Sequence, residues 1–459
     1  VRPSAAVEVL LAGLLTGGLI ASGATPVHAR PLPVEKVATT LTARLAPPVV
    51  IAGEPASLVA QLTPARTRSL TVETLSDGVW STLGNATSNG AGRAVVPLDT
   101  SMVGSQVLRI VAPAQGNLPV RRSAPAVLKV TDPATCTPKP ALVDPLATPA
   151  ARCLAARLDS WRSTGLMGVG QQLNVSSSAY AAPLTALGNR RVSVVGFDLQ
   201  ELALSGTYEF PFQDQVLADL AALARSGVVL SASWHATNPG NGNGFSDRGW
   251  HDLDALLDSS TPEYAEFWSD FDAKMALLGQ LQDAGAAVVF RPFHEANGDW
   301  FWWGHPDPAT YRHLWRLMQE RAAADGVHNI VWGYSFAAKV GSWIRDPAKL
   351  LPAKVDLAGI DAYDPEAGAG NAKDLLPTQG YAAIAARVKR MAMTEVGPHG
   401  SVNGTWNPAV VTRTAKTLTS SPLWAMLWFD DRDGKKQISS LAGGRSWLGS
   451  CPNAFCYLR

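Results

Sequence analysis

Val289-Phe-Arg-Pro-Phe-His-Glu295-Ala-Asn-Gly-Asp-Trp300-Phe-Trp-Trp-Gly304 changes character halfway along. Its first half closes an apolar run, Ala287 to Glu295, with the length and composition of a buried strand. A histidine and a glutamate end that run, and three tryptophans follow within eight residues of the glutamate. A strand that stops in polar and aromatic residues predicts a parallel sheet whose carboxyl-terminal edge builds a site.

Working outward, seven more runs have the same form: Met167 to Leu173, Val192 to Leu199, Val228 to His235, Ile330 to Phe336, Val355 to Tyr363, Met391 to Val396 and Trp424 to Phe429. Helical stretches such as Asp214 to Ser226, Tyr264 to Ala284 and Pro308 to Ala324 separate several of them. The expected fold class over residues 151–459 is therefore α/β, a (β/α)8 TIM barrel. An open doubly wound sheet is the alternative, because periodicity does not show closure.

Residues 33–131 read differently. Short Val/Thr/Leu/Ala runs, including Ser57 to Leu62, Ser69 to Thr74 and Gln106 to Val111, alternate with Gly, Pro, Asn and Asp. This is the pattern of a small all-β, immunoglobulin-like sandwich. Trp80 is the sole aromatic before Trp161, and it is expected in the sandwich core. The module therefore reads as a spacer, with no row of aromatics on which to stack sugars. Residues 132–150 carry five prolines and read as a stiff linker.

The first 29 residues read as a signal peptide: Arg2, an apolar run from Val9 to Ile20, then small residues up to a cleavage site at Val27-His28-Ala29, with a cut after Ala24 as the alternative. The run is too short to span a bilayer, so a secreted, extracellular protein without a membrane partner is expected. Export would permit disulfides, and sequence proximity pairs Cys136 with Cys153 and Cys451 with Cys456. The 39 basic and 38 acidic residues leave a net charge of +1, which excludes a nucleic-acid partner held by long-range charge. A monomer acting on a neutral substrate, with no cofactor or metal, is the expectation.

The run Met391 to Val396 supplies a second carboxylate, Glu395, at the height of Glu295. Two carboxylates at strand ends beside aromatic platforms suit a glycosidase: one carboxyl protonates the departing oxygen while the other meets the anomeric carbon. An ionised Glu395 would raise the proton affinity of Glu295 across the gap of about 5 to 5.5 Å found in retaining enzymes.

Arg291-Pro-Phe-His-Glu295-Ala-Asn-Gly-Asp-Trp-Phe-Trp-Trp-Gly304 resembles the acid/base motif of the family 26 glycoside hydrolases, chiefly endo-β-1,4-mannanases. Thr394-Glu395-Val-Gly397 is similar to that family's nucleophile motif, Ser233-Trp-His235 with Asn238-Pro239 to its third-strand segment, and Gly359-Ile-Asp-Ala-Tyr363 to its sixth-strand motif. The resemblance implies Glu295 as acid/base and Glu395 as nucleophile on strands four and seven. It implies further that His235 and His294 bond sugar hydroxyls or the catalytic carboxylates, and that Trp300 is a platform beyond the cleavage point. Tyr363 would orient the nucleophile, and Trp428 would floor the subsite where the sugar distorts. Trp250 and Trp303 join the implied substrate-binding set, with Asn297 and Arg291 in support, Arg291 pairing with Glu395. Phe429 departs from the family, which places a basic residue after the eighth-strand tryptophan. The substrate expected is a β-1,4-mannan, with β-1,3-xylan or mixed-linkage β-glucan as alternatives.

Rival chemistries fit less well. A metallohydrolase would recruit His235, His251, His294 and Asp361, yet His294-Glu295 lacks the second histidine of HExxH because Gly298 stands there. A serine esterase would use Ser335 in Gly333-Tyr-Ser-Phe-Ala337 with Asp361 and His399, a near miss to GxSxG. A catalytically silent sugar-binding barrel is the alternative from another class.

Overall fold

The computed structural model describes residues 38–458, apart from 134, 137–139, 366 and 368–372. The signal-peptide reading of residues 1–29 lies outside the described residues. Eight parallel strands close into a barrel: β1 (Leu166–Gln172), β2 (Val194–Asp198), β3 (Val229–Trp234), β4 (Val288–Pro292), β5 (Ile330–Ala337), β6 (Leu357–Asp364), β7 (Met391–Pro398) and β8 (Trp424–Leu427). Neighbours pair in sequence order and β8 returns to β1, so the barrel closes and the open-sheet alternative falls; a short antiparallel strand, Phe455–Tyr457, adds to the first residues of β1.

Each strand is buried on both faces, which is why the runs read as continuously apolar rather than alternating. The first residues of the strands, among them Val194, Val229, Val289, Val331, Leu357 and Ala392, fill the barrel's amino-terminal end. Helix α1 (Pro149–Thr164) closes that end with Leu154, Leu158 and Trp161. It starts inside the stretch read as linker, because Thr148 caps it through Ala151 N–H and Pro149 takes the first turn, where no amide is needed. The disulfides Cys136–Cys153 and Cys451–Cys456 form as expected, the first clipping the segment before α1 to that helix.

The amino-terminal module consists of two β-sheets over one core, with Leu58, Ala60 and Leu62 on one side and Leu70, Val72, Leu108, Ile110, Leu128 and Val130 on the other. Trp80 is not in that core. It lies half-buried on the outer face beneath the Arg109 guanidinium, 3.9 Å from the ring centroid, because Val79–Thr87 is an edge strand whose side chains are covered only from one side. The sandwich packs on the barrel's amino-terminal side. A methyl group on Gly227 would sit 1.6 Å from the Ala52 carbonyl oxygen, and Asn453 donates to the Leu98 carbonyl at 3.1 Å. The strands' carboxyl ends stay open on the opposite side.

Candidate active site

At that open end lies a cavity of about 1050 Å³, lined by Asp198, Glu201, His235, His294, Glu295, Trp300, Phe301, Tyr363, Glu395, Trp428 and residues of the loops around them. A groove of about 810 Å³ near α1 is lined by no aromatic side chain. Of these two, the cavity at the open end is the one that combines carboxylates with aromatic side chains.

Glu395 reaches the cavity by a strand irregularity. The pairing of β6 with β7 passes from Ile360↔Met393 to Asp361↔Glu395, so β7 carries one extra residue at Thr394. Ordinary alternation would send neighbouring side chains to opposite faces; the bulge lets Thr394 and Glu395 both meet groups inside the barrel. Gly359 makes room, since a methyl there would lie 2.3 Å from Thr394. Arg291, fully buried, donates to Glu395 Oε1 from both terminal nitrogens at 3.1 Å, and Tyr363 donates its hydroxyl to Oε2 at 3.1 Å. His294 Nε2 stands 3.9 Å from Oε1. A carboxylate held by a guanidinium and a phenol is fixed in place and charge-compensated.

Glu295 arrives by another route. The strand expected to run through it ends at Pro292, whose missing N–H stops the ladder. Phe293 (φ 47°) and Glu295 (φ 55°) then take left-handed backbone conformations, so strand alternation does not govern where Glu295 points. This turn is strained but held firmly. Tyr311 donates to Phe293 O (3.1 Å), Trp303 to His294 O (2.9 Å), and Glu295 N–H to Ser335 O (3.0 Å). Trp300 Nε1 donates to Glu295 Oε2 at 2.7 Å.

One oxygen from each of Glu295, Asp361 and Glu395 lies within 4.8 Å of the other two. Burial first, then the charges of Asp361 and Glu395, pushes the Glu295 carboxyl well above the usual glutamate range, against the Trp300 hydrogen bond and Arg291. Burial and Glu395 likewise raise Asp361, which accepts from Ser335 (2.9 Å) and Thr394 (2.7 Å). Three carboxyls share one guanidinium, so they do not all ionise together. Burial, with His235 and Arg291 nearby, drives the His294 ring well below the usual histidine value, so it is neutral.

Among the other expected residues, His235 donates from Nδ1 to Asp198 Oδ2 (2.9 Å), which leaves its second ring nitrogen for other partners. Burial opposes the charged form of Asp198, but His235, Ser233 and the Gln200 amide hold its carboxyl below the usual value. Trp428 lines the cavity with its ring centroid 6.0 Å from that of His235. Asn297 is buried, donates to Ala337 O (2.8 Å) and accepts from Ala337 N–H (2.9 Å), tying the turn after β4 to the end of β5.

Two expectations need correction. Trp303 is fully buried, stacked on Phe301 and bonded to the His294 carbonyl, so it presents no face to a substrate. Trp250 is outside the cavity lining; it packs on Gly240 and against Trp302 at 5.8 Å, because the Gly/Asn-rich loop folds back over it. The esterase rival fails on position, since Ser335 has no histidine among its hydrogen-bond partners in the described residues; of the residues a metallohydrolase would recruit, His251 is exposed outside the cavity lining. Sequence reasoning gave Asp361 only to those rivals and missed Asp198, Glu201 and Phe301 in the cavity. Asp361 sits at the same strand-end height as Glu395 in Gly359-Ile-Asp-Ala-Tyr363, a usable signal; Phe301 was hidden within its aromatic cluster.

The sequence profile of glycosyl hydrolase family 26 matches residues 143–446. The chain belongs to this family. Within family 26, it is 29% identical to a mannan endo-1,4-beta-mannosidase of Bacillus subtilis (strain 168) over 227 residues, 46% of this chain and 59% of that protein. The match thus spans less than two thirds of that relative. A solved Bacillus subtilis mannanase superposes with a TM-score of 0.57 at 22% identity, covering 68% of this chain and 93% of that one. A modular endo-beta-1,4-mannanase from Cellulomonas fimi superposes with a TM-score of 0.54 at 26% identity, over 64% and 72%.

Proposed function

We propose that this protein is an exported, retaining endo-β-1,4-mannanase, acting on mannan, galactomannan or glucomannan. The observation that carries the reading is the carboxyl pair: Glu295 and Glu395 oxygens within 4.8 Å, the first pushed above the usual glutamate range by burial and neighbouring charge and the second bound to Arg291. That separation suits direct attack on the sugar rather than attack by an interposed water, which needs about 6.5 to 9.5 Å. The names of the family relatives support mannan as the substrate.

In this mechanism Glu395 attacks the anomeric carbon as Glu295 gives its proton to the departing oxygen, and a covalent glycosyl-enzyme forms. Esterification removes the negative charge of Glu395, one of the causes that hold the proton on Glu295. Glu295 then ionises more readily and takes a proton from the water that hydrolyses the ester. His235, Trp300, Phe301 and Trp428 offer ring faces and polar edges for the sugars along the cavity. Arg291 and Tyr363 position the nucleophile, and Asn297 positions the turn that carries the acid.

Residues 33–131 are read as a structural module and 151–459 as the catalytic domain. Two disulfides favour an oxidising compartment and so support export. No helix of the described residues is long and apolar enough to cross a membrane. Incubation with mannan, galactomannan, glucomannan, β-1,3-xylan and mixed-linkage β-glucan tests the reading. Manno-oligosaccharides released by wild type, and not by Glu295→Gln or Glu395→Gln, are expected. Cleavage confined to xylan or glucan would overturn the substrate, and no cleavage by folded wild type would overturn the enzyme.

A further inference from the structure

Trp343 is the one tryptophan of the described residues that is more than half exposed, at 54%. It stands in the loop after β5, outside the cavity lining, with its ring centroid 5.8 Å from that of Trp300 and the planes inclined by 68°. An exposed indole costs hydration free energy unless something covers it in use. This one is mounted rather than loose. Ile344 beside it is buried, Arg345 N–H donates to Asn297 O (2.8 Å), and the Arg345 side chain donates to His305 O (2.7 Å). The loop is therefore fastened to the turn that carries Glu295.

Both rings rest on glycine. A methyl on Gly298 would lie 2.2 Å from the Trp300 ring, and one on Gly341 would lie 2.5 Å from Trp343 Nε1. Each indole thus packs against glycine backbone where a larger residue would leave it no room. Because Trp300 bonds the acid Glu295, it marks the side on which the protonated oxygen departs. Trp343 continues that side by one further ring.

We propose that Trp343 is a second sugar platform on the leaving-group side, stacking the pyranose that follows the one at Trp300 in a neutral β-linked polysaccharide. This rests on the glycosidase reading above. The platform contributes through substrate length: chains long enough to reach it bind better, and shorter leaving groups do not sense it. No part of Trp343 touches the reacting atoms, so the chemistry on a short substrate is independent of it.

The test compares Trp343→Ala, Trp343→Phe and wild type on two substrates. One is an aryl β-mannotrioside, whose aryl leaving group reaches only Trp300; the other is a linear mannan with several sugars beyond the cleavage point. Trp343→Ala is expected to lower kcat/KM on mannan about tenfold, mainly through KM, with the aryl substrate unchanged and Trp343→Phe restoring most of the loss. Equal kcat/KM for Trp343→Ala and wild type on mannan would overturn the platform. So would an equal loss on both substrates, which would mean that the ring only supports the loop. A wild type that cleaves neither substrate overturns the mannanase reading and the platform with it, an outcome distinct from an active wild type indifferent to Trp343.

Discussion

Strands β4 and β7 each deliver a glutamate to the cavity, and they do so by opposite means. Glu395 sits within its strand, turned inward by an extra residue and bound by Arg291 and Tyr363. Glu295 sits three residues past the end of its strand, in a left-handed turn, with Trp300 as the single hydrogen-bond donor to its carboxyl among the described residues. The difference matches two tasks. A nucleophile benefits from a fixed position and a compensated charge, whereas an acid that must also serve as base needs a proton that can leave.

The largest effect should come from removing one carboxylate at a time. Glu395→Gln is expected to lose more than about 10⁴-fold in kcat on every mannoside, since no covalent step remains. Glu295→Gln should lose about 10² to 10⁴-fold on mannan but far less in the first step on an aryl mannoside, whose leaving group needs no proton. Pre-steady-state release of the phenol separates the two; equal losses on the aryl substrate would erase the distinction.

Arg291 comes next, because it is the cation shared by the cluster. Arg291→Met leaves buried carboxyls without their counter-charge and is expected to cost about 3 to 5 kcal/mol of stability, with kcat reduced as well. Denaturant unfolding measures the first and initial rates the second. A variant as stable as wild type would show that the carboxyls are compensated elsewhere. Tyr363→Phe removes one hydrogen bond to a charged group, about 1.5 to 3 kcal/mol, and should lower kcat by roughly 10 to 100-fold with the fold intact.

The smallest effect is a shift in pH dependence. In the proposed role Glu295 acts as an acid only while protonated, so its raised pKa is expected to carry the alkaline limb of activity above the ordinary glutamate range. The Trp300 hydrogen bond favours the ionised form, so Trp300→Phe should raise that pKa further and move the alkaline limb of kcat/KM to higher pH. A limb moving to lower pH would contradict the assignment of the proton. The same sign governs stability. What the protonated Glu295 contributes is present below its unfolded pKa and lost as pH rises through the folded one, so Glu295→Gln should lose less stability than wild type on the alkaline side.

The eight strands were legible because a strand covered on both faces must be apolar throughout; observed ends differ from expected ones by a few residues, as in Val288–Pro292 against Ala287–Glu295. Both carboxylates were legible from their places at the ends of such runs. Less visible was how they point, because the bulge at Thr394 and the positive φ of Glu295 leave no mark in composition. The cluster Trp300-Phe-Trp-Trp303 shows the same limit. Four adjacent aromatics look alike in sequence, yet Trp300 faces the cavity while Trp302 and Trp303 are buried by the turn's geometry. Trp80 erred in the other direction, since an isolated tryptophan in an apolar module can lie under an arginine as well as in a core.

The central claim, that Glu395 takes the sugar while Glu295 handles the proton, is tested most directly by trapping the intermediate. The fluorine of a 2-deoxy-2-fluoro aryl β-mannoside slows both formation and hydrolysis of the ester, while its good leaving group restores the rate of formation alone, so the adduct accumulates. Peptide mass spectrometry of the treated protein should place one fluoromannosyl group on Glu395, and none on Glu395→Gln. An adduct on Glu295, or turnover of ordinary mannoside with inversion at the anomeric carbon, would contradict the account.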